Sequence, residues 1–223
     1  NKLSLAIAHQ LRNPLTAIGG FAGLLRRRLN GDAVAVSYLE SILDSGRRLE
    51  DVVKAVTAYT SLKLGPFQRL PLQDLVDEAC KTLRHRLPHM AENICWRQDV
   101  APVQVEVDPA FMVRALTEIL ANSAESLNGS RDIRVTADAF AGLPVIEIVD
   151  TGQGIHPEDL PYIFDPFFTT KAVGVGMGLP LAERIVKEHG GRIQVSSQPG
   201  HGSRVRIHLH AGEQLREAAP CGP

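Results

Sequence analysis

The stretch VIEIVDTGQG, residues 145–154, is the part of the sequence around which the fold can be reconstructed. Four of its first five residues are β-branched and apolar, which is typical of a buried strand. The strand ends at Asp150, and Gly152 and Gly154 follow at once. A carboxylate at a strand end can accept a hydrogen bond from an exocyclic amine such as that of adenine, and glycines let the backbone approach a ligand closely. The stretch therefore predicts a ligand-binding loop at the end of a strand.

A second glycine-rich stretch, GVGMGL at residues 174–179, lies downstream and opens directly into a helical pattern. Backbone amides at the N-terminus of a helix are suited to bind phosphate oxygens. Either glycine stretch alone is a weak signal, because similar runs are frequent in ordinary turns. Their order along one chain is what favours a nucleotide site.

Strand patterns alternate with helical patterns around these two stretches. Helices combined with strand pairs that are adjacent in sequence predict an α/β sandwich, in which helices cover one face of a mixed sheet. The predicted strands are 67–70, 94–98, 103–107, 133–140, 145–149, 192–196 and 203–210, and the predicted helices are 72–87, 109–127 and 179–189.

The beginning of the chain has a different pattern. Small and aliphatic residues step by three and four from Ala8 to Leu29, which is typical of a helix in a bundle. This pattern stops at the turn-forming residues 30–32, and a second helical pattern runs from Leu39 to Val56. Two such helices form an antiparallel hairpin, which cannot bury both apolar faces alone. We therefore expect a homodimer in which two hairpins make a four-helix bundle.

Gly65 and Pro66 interrupt both patterns and predict a linker. The predicted domains are a helical hairpin over 1–64 and an α/β sandwich over 65–211, followed by a disordered tail over 212–223. The predicted fold class is therefore α+β.

The composition argues against several classes of protein. A formal net charge of -1 gives no strong field to attract nucleic acid or a membrane surface. Three cysteines far apart match neither a disulfide framework nor a metal site, as expected in a reducing compartment. No apolar run approaches the length of a membrane span. From the net charge we expect no nucleic-acid partner, and from the lack of a long apolar run we expect no membrane contact within this fragment.

The residues HQLRNPL at 9–15 resemble the phosphoacceptor box of bacterial two-component sensor histidine kinases. Further motifs follow in the order that this family has. They are an Asn box at Asn122, a first glycine box at 150–154, a phenylalanine box at 164–171, a second glycine box at 174–179 and a last one at 199–203. Together they cover nearly the whole chain, and the short segment between Lys171 and Gly174 resembles the nitrogen-regulation-like subgroup.

This resemblance implies a transmitter core, with a phosphoacceptor hairpin and a Bergerat-type ATP-binding domain. It implies a protein-histidine kinase that phosphorylates its own His9 with ATP and Mg²⁺ and passes the phosphoryl group to an aspartate of a response-regulator receiver domain. It also implies a cytoplasmic location, either alone or as the cytoplasmic part of a membrane-bound sensor. The implied catalytic residues are His9, Gln10, Asn13 and Glu118, and the implied cofactor-binding residues are Asn122 (also the Mg²⁺ ligand), Asp150, Gly152, Gly154, Lys171, Gly174, Gly176, Gly178, Leu179 and Ser203.

Gln10 departs from the family pattern, because many members carry an acidic residue there that takes the proton from the attacking histidine. Glutamine can orient an imidazole but cannot act as that base. Asn13, one helical turn beyond His9, matches a position that in the family positions water to hydrolyse a phosphorylated partner. A kinase-weak relative that is biased toward phosphatase activity is therefore one alternative.

Glu118 is a second departure, because sensor kinases often have another asparagine one turn before the main one. Glutamate at this position resembles the wider GHKL superfamily of chaperones, type II topoisomerases and mismatch-repair proteins, where it activates water for ATP hydrolysis. Glu118 and Asn122 share one helix face, so both can reach a single Mg²⁺ or the phosphates beyond it. A GHKL-type ATPase is therefore the other alternative, and Glu118 is either a direct catalytic residue or a supporting one.

Overall fold

The computed structural model describes residues 15–16, 18–27, 29, 33–92, 94–127, 132–140, 143–171 and 174–209. His9, Gln10 and Asn13 lie outside the described residues, as does the predicted tail. The chain divides into two compact units, one formed by Asn1–Leu62 with Thr169–Met177 and the other by Lys63–Phe168 with Gly178–Pro223.

The described residues of the first unit form two helices. Helix α1 is described at 15–16 and 18–27, and α2 spans Ala33–Thr60, while the turn predicted at 30–32 lies outside the described residues. Some apolar side chains of this unit are buried, namely Leu15, Ala22, Leu39 and Val53, and others are exposed, namely Ile18, Phe21, Leu25, Tyr38, Ile42 and Leu49. Both helices therefore carry large apolar side chains that the described part of this chain leaves open to solvent.

The second unit follows the predicted order of strands and helices. Its strands are β1 (Gln68–Pro71), β2 (Cys95–Val100), β3 (Gln104–Val107), β4 (Asp132–Phe140), β5 (Leu143–Asp150), β6 (Arg192–Gln198) and β7 (Gly202–His208). Its helices are α3 (Leu72–Arg86), α4 (Pro88–Ala91), α5 (Pro109–Ser126) and α6 (Gly178–Glu188), with a short 3₁₀ turn at Leu160–Tyr162. Across the described ranges, no helix is long and apolar enough to cross a membrane.

Five of the strands form one mixed sheet in the order β2-β4-β5-β7-β6. The pair β2 and β4 is parallel, and the other neighbours are antiparallel. The prediction of an α/β sandwich with a mixed sheet is therefore confirmed. The sequence did not predict that β1 and β3 leave this sheet and pair with each other, antiparallel, in a separate ribbon. A strand pattern indicates which face is buried but does not choose the partner strand.

Helices α3, α5 and α6 cover one face of the sheet, and the alternation along β5 decides which residues meet them. Ile146 and Ile148 are buried, whereas Glu147 between them is only half-buried on the other face. Asp150 has the same parity as the two isoleucines, because side chains in a strand alternate with period two. The carboxylate therefore points to the helix side of the sheet, where it is 3% exposed.

On the outer face of the sheet, charged side chains connect strands β5 and β7. Glu147 on β5 accepts hydrogen bonds from Arg204 (2.8 Å) and from Arg206 (2.5 Å), both on β7. Partial burial alone would raise the pKa of Glu147, but the hydrogen bonds from Arg206 and Arg204 hold it below its usual range. This charge network ties β5, which ends in Asp150, to β7, which carries Ser203.

Candidate functional site

Asp150 is the centre of a buried hydrogen-bond network at the end of β5. Its Oδ1 atom accepts from the backbone N–H groups of Gly152 (2.9 Å) and Ser203 (3.1 Å). The hydroxyl of Ser126, at the end of α5, donates to the carbonyl oxygen of Ser123 (2.8 Å) and also lies 3.4 Å from Oδ1 of Asp150. These bonds from the described residues all fall on Oδ1, so Oδ2 is the oxygen with capacity for a further donor. An amino group on a ligand has that chemistry.

Two glycines let the backbone close around this acid. A Cβ atom on Gly202 would lie 2.0 Å from the carbonyl oxygen of Asp150, and Gly202 has a positive φ of 83°. A Cβ atom on Gly152 would lie 2.3 Å from the hydroxyl oxygen of Ser126. Both positions exclude any side chain, because contacts of this length are shorter than van der Waals separation.

The substitution Gly202→Ala is expected to destabilise the domain and to weaken nucleotide binding. Gly200→Ala is a matched control, because Gly200 has a similar φ of 78° but its Cβ would meet nothing within 4 Å. Backbone strain should cost either variant about 1–2 kcal/mol of unfolding free energy. The clash with Asp150 should make the loss in Gly202→Ala clearly larger in urea denaturation, and only this variant should lose ADP affinity in calorimetry. Equal losses in both variants would contradict this explanation.

Two serines of this network were not predicted from the sequence. Ser197 on β6 accepts from the backbone N–H of Ile155 (2.8 Å), and its hydroxyl lies 2.8 Å from the carbonyl oxygen of Gly202 and 2.9 Å from the hydroxyl of Ser203. If Ser197 donates to that carbonyl, Ser203 donates to Ser197, because each hydroxyl has one proton. The only signal for Ser126 was its spacing of four residues from Asn122, on the face that also carries Glu118.

Glu118 lies at the other end of this helix face, beside the start of α6. Its Oε1 atom accepts a hydrogen bond from Arg86 at 2.8 Å, and its side chain is 16% exposed. Its Oε2 atom lies 2.8 Å from where a Cβ atom on Gly178 would be. The carboxylate therefore sits at the N-terminus of α6, and Asn122 follows it one helical turn toward Ser126.

The remaining predicted site residues fall into three groups. Gly154 lies in the loop after Asp150, and Leu179 is the second residue of α6. Lys171, Gly174 and Gly176 lie in the segment Thr169–Met177, which does not belong to the α/β unit. The phosphoacceptor residues His9, Gln10 and Asn13 lie outside the described residues. For all three groups, a role in the site stays a prediction from the sequence.

A buried acid on a glycine-containing loop and a helix N-terminus in the same α/β unit are features that suit a nucleotide-binding domain. Comparison with known families agrees. Residues 107–213 match the model for the histidine kinase-, DNA gyrase B- and HSP90-like ATPases, and residues 1–65 match the model for the His Kinase A phospho-acceptor domain. The chain belongs to the two-component sensor histidine kinases, of which it represents the transmitter core.

Individual relatives support the same assignment. The chain is 30% identical over 214 residues to the signal transduction histidine-protein kinase AtoS of Escherichia coli K12. The aligned region covers 96% of this chain but only 35% of AtoS. The structure of histidine kinase ThkA in complex with response regulator TrrA is 25% identical, with a TM-score of 0.66, over 94% of this chain and 61% of that one. Full-length ShkA in complex with AMPPNP has the same fold, with a TM-score of 0.71 at 22% identity over 93% of this chain and 45% of that one.

Proposed function

We propose that this chain transfers the γ-phosphoryl group of ATP to its own His9 and then donates it to an aspartate of a response-regulator receiver domain. The observation that carries this proposal is the buried Asp150 carboxylate, which lies in an ATPase-type domain that follows a matched phosphoacceptor domain containing His9. The relative AtoS is itself named a histidine-protein kinase.

The adenine of ATP would be recognised by Asp150. Its Oδ2 atom accepts from the exocyclic amine, while Oδ1 is held in place by the amides of Gly152 and Ser203. The phosphates would extend toward the N-terminus of α6, whose first amides carry positive partial charge. Lys171 supplies a mobile ammonium for the phosphates in this proposal.

Asn122 is the residue that would hold Mg²⁺. An amide oxygen suits this hard cation, and the side chain of Asn122 lies one helical turn from Glu118 on α5. The position of Asn122 suits this role, because Glu118, one helical turn away, lies beside the first residue of α6, where phosphates are expected. When bound, Mg²⁺ would neutralise charge on the phosphate oxygens.

In the transfer step, a neutral ring nitrogen of His9 forms a bond to the γ-phosphorus while the bond from that phosphorus to the bridging oxygen breaks, and ADP leaves. The imidazole must then lose a proton. Gln10 cannot accept it, because an amide is not a base at neutral pH. Glu118 is the carboxylate that we propose in its place, and Arg86 fixes its orientation. Most of the catalysis comes from positioning and charge neutralisation.

The substitution Glu118→Gln is expected to lower the autophosphorylation rate at saturating ATP by about tenfold or more, because general-base catalysis contributes at least that much. Glutamine keeps the size of the side chain and an oxygen for Arg86, so ADP affinity should change little. A matched control is Glu78→Gln on α3, whose carboxylate pairs with Lys81 at 3.3 Å on an exposed surface. A native rate in Glu118→Gln would assign Glu118 a supporting role.

We also propose that the chain acts as a homodimer. The support is the set of exposed apolar side chains on α1 and α2, which includes Phe21 (68% exposed) and Tyr38 (67% exposed). Large apolar groups on two adjacent helices are covered most simply by a second copy of the same hairpin. Phosphatase activity toward the receiver domain, through Asn13, is a further proposal that rests on the sequence.

The test of the proposed function is incubation of the chain with γ-labelled ATP and Mg²⁺, followed by treatment of the labelled protein with acid and with base. A phosphohistidine loses its label in acid and keeps it in base, and this is the expected result. Steady phosphate release without labelled protein would favour the GHKL-type ATPase instead.

A further inference from the structure

The end of the linker between the two domains is bonded to the α/β unit. The backbone N–H of Gly65 donates to Oδ2 of Asp108 at 2.6 Å, although Gly65 itself is exposed. A Cβ atom on Gly65 would lie 3.1 Å from that oxygen, so a larger residue would crowd the bond. Two residues later, the ring of Phe67 stacks on the ring of His189, with centroids 5.0 Å apart and planes 21° apart.

Asp108 uses its two oxygens for two separate tasks. As the N-cap of α5, it accepts with Oδ1 from the backbone N–H groups of Ala110 (3.0 Å) and Phe111 (3.2 Å). An N-cap needs only one acceptor, which serine, threonine or asparagine supplies equally well. The second oxygen is directed to Gly65 instead. Asp108 is 6% exposed, and this second bond is one that capping does not require.

His189 connects the same point to α6. Its Nε2 atom lies 3.0 Å from the backbone N–H of Asp108, which can only donate, so Nε2 is the acceptor. The proton is therefore on Nδ1, which donates to the carbonyl oxygen of Ile185 at 2.7 Å. The ring is 2% exposed, and burial lowers the pKa of His189, in agreement with this neutral tautomer.

These bonds join the linker to both helices of the nucleotide site. Asp108 begins α5, whose later turns carry Glu118 and Asn122. His189 directly follows α6, whose first residue is Gly178.

We propose that Asp108 and His189 are positioning residues that form a linker clamp together with Gly65 and Phe67. The clamp fixes the last part of the linker to α5 and α6, so the bending of the connection is confined to residues before Gly65. This inference rests on the proposed function, in which the α/β domain delivers a phosphoryl group to His9. A shorter flexible segment restricts the orientations of the domain and raises the frequency of productive encounters.

The test uses Asp108→Asn in the full chain. Asparagine is as good an N-cap as aspartate, but its amide group places a donor against the N–H of Gly65, so the linker bond alone is lost. We expect the autophosphorylation rate at saturating ATP to fall about tenfold, while KM for ATP and the affinity for ADP stay within about twofold of native. Rate and affinity falling together would show a merely structural role and overturn the proposal.

A second measurement, the rate of trypsin cleavage beside the clamp, does not depend on kinase activity. Lys63 is exposed and precedes Leu64, so trypsin can cut there, next to the clamp. We expect Asp108→Asn to be cut at Lys63 at least about fivefold faster than the native chain, because cleavage follows local opening. Lys81, on the exposed surface of α3, is the internal control and should be cut at an unchanged rate.

If Asp108→Asn does not fold, Phe67→Leu removes the ring stacking and leaves Asp108 intact, and the same two changes are expected in smaller size. An unchanged cleavage rate at Lys63 in a folded variant overturns the clamp. If the native chain acquires no label at all, the proposed function fails and the positioning role fails with it, while the trypsin comparison still decides whether the linker is anchored.

Discussion

Asp150→Asn is expected to weaken ATP and ADP binding by about a hundredfold or more and to remove autophosphorylation at ordinary ATP concentrations. The side-chain oxygen of asparagine can still accept from the amides of Gly152 and Ser203, so the loop keeps its shape. Its NH₂ group then occupies the position of Oδ2 and faces the amine of adenine. Two donors in contact lose the hydrogen bond and leave buried polar groups without partners.

The measurement is ADP affinity by calorimetry, with the stability of the domain as a check. Trp96 is the single tryptophan of the chain and lies on β2 of the same sheet, so its fluorescence during urea unfolding reports on this domain. Asp99→Asn is a suitable control, because Asp99 is an exposed aspartate on that strand. A folded Asp150→Asn variant that binds ADP within about threefold of native affinity would refute the assignment of Asp150.

His9→Ala is expected to abolish labelling of the protein from γ-labelled ATP completely, because the variant lacks the proposed acceptor nitrogen. ADP affinity should be unchanged, since His9 lies in the phosphoacceptor domain and Asp150 in the α/β unit. This combination separates loss of the acceptor from loss of the fold.

His85→Ala is the matched control for this experiment, because His85 is an exposed histidine on α3. It should label as the native chain does. Acid-labile label that persists in His9→Ala would show that another histidine is the acceptor.

The sequence was most informative where one local pattern had one consequence. The β-branched apolar residues in 145–149 predicted β5, and the structure shows that Asp150 at its end faces the helices. Gly202 has a positive φ of 83°, and a backbone conformation of this kind is a local requirement that a glycine in the sequence can display.

Other features depended on residues far apart in the chain, and the sequence did not reveal them. The ion pair between Arg86 and Glu118 joins α3 to α5, and the hydroxyl of Ser197 reaches the site only because β6 pairs with β7. Serine and arginine are common on surfaces, so neither stands out before the partner is known. The sequence also did not reveal the separate ribbon of β1 and β3, because a strand pattern does not indicate the partner strand.

Glu118, Asn122 and Ser126 are spaced four residues apart along α5, so their positions set the length of the candidate site. At 1.5 Å per residue, the distance from Glu118 to Ser126 along the helix axis is about 12 Å. In the proposed function, Ser126, beside Asp150, lies at the adenine end of the site, and Glu118, beside α6, lies at the phosphate end. A ligand that contacts both ends of the site must therefore extend at least from Ser126 to Glu118. In the proposed function, the domain would therefore distinguish a nucleoside triphosphate from a shorter nucleotide by length as well as by charge.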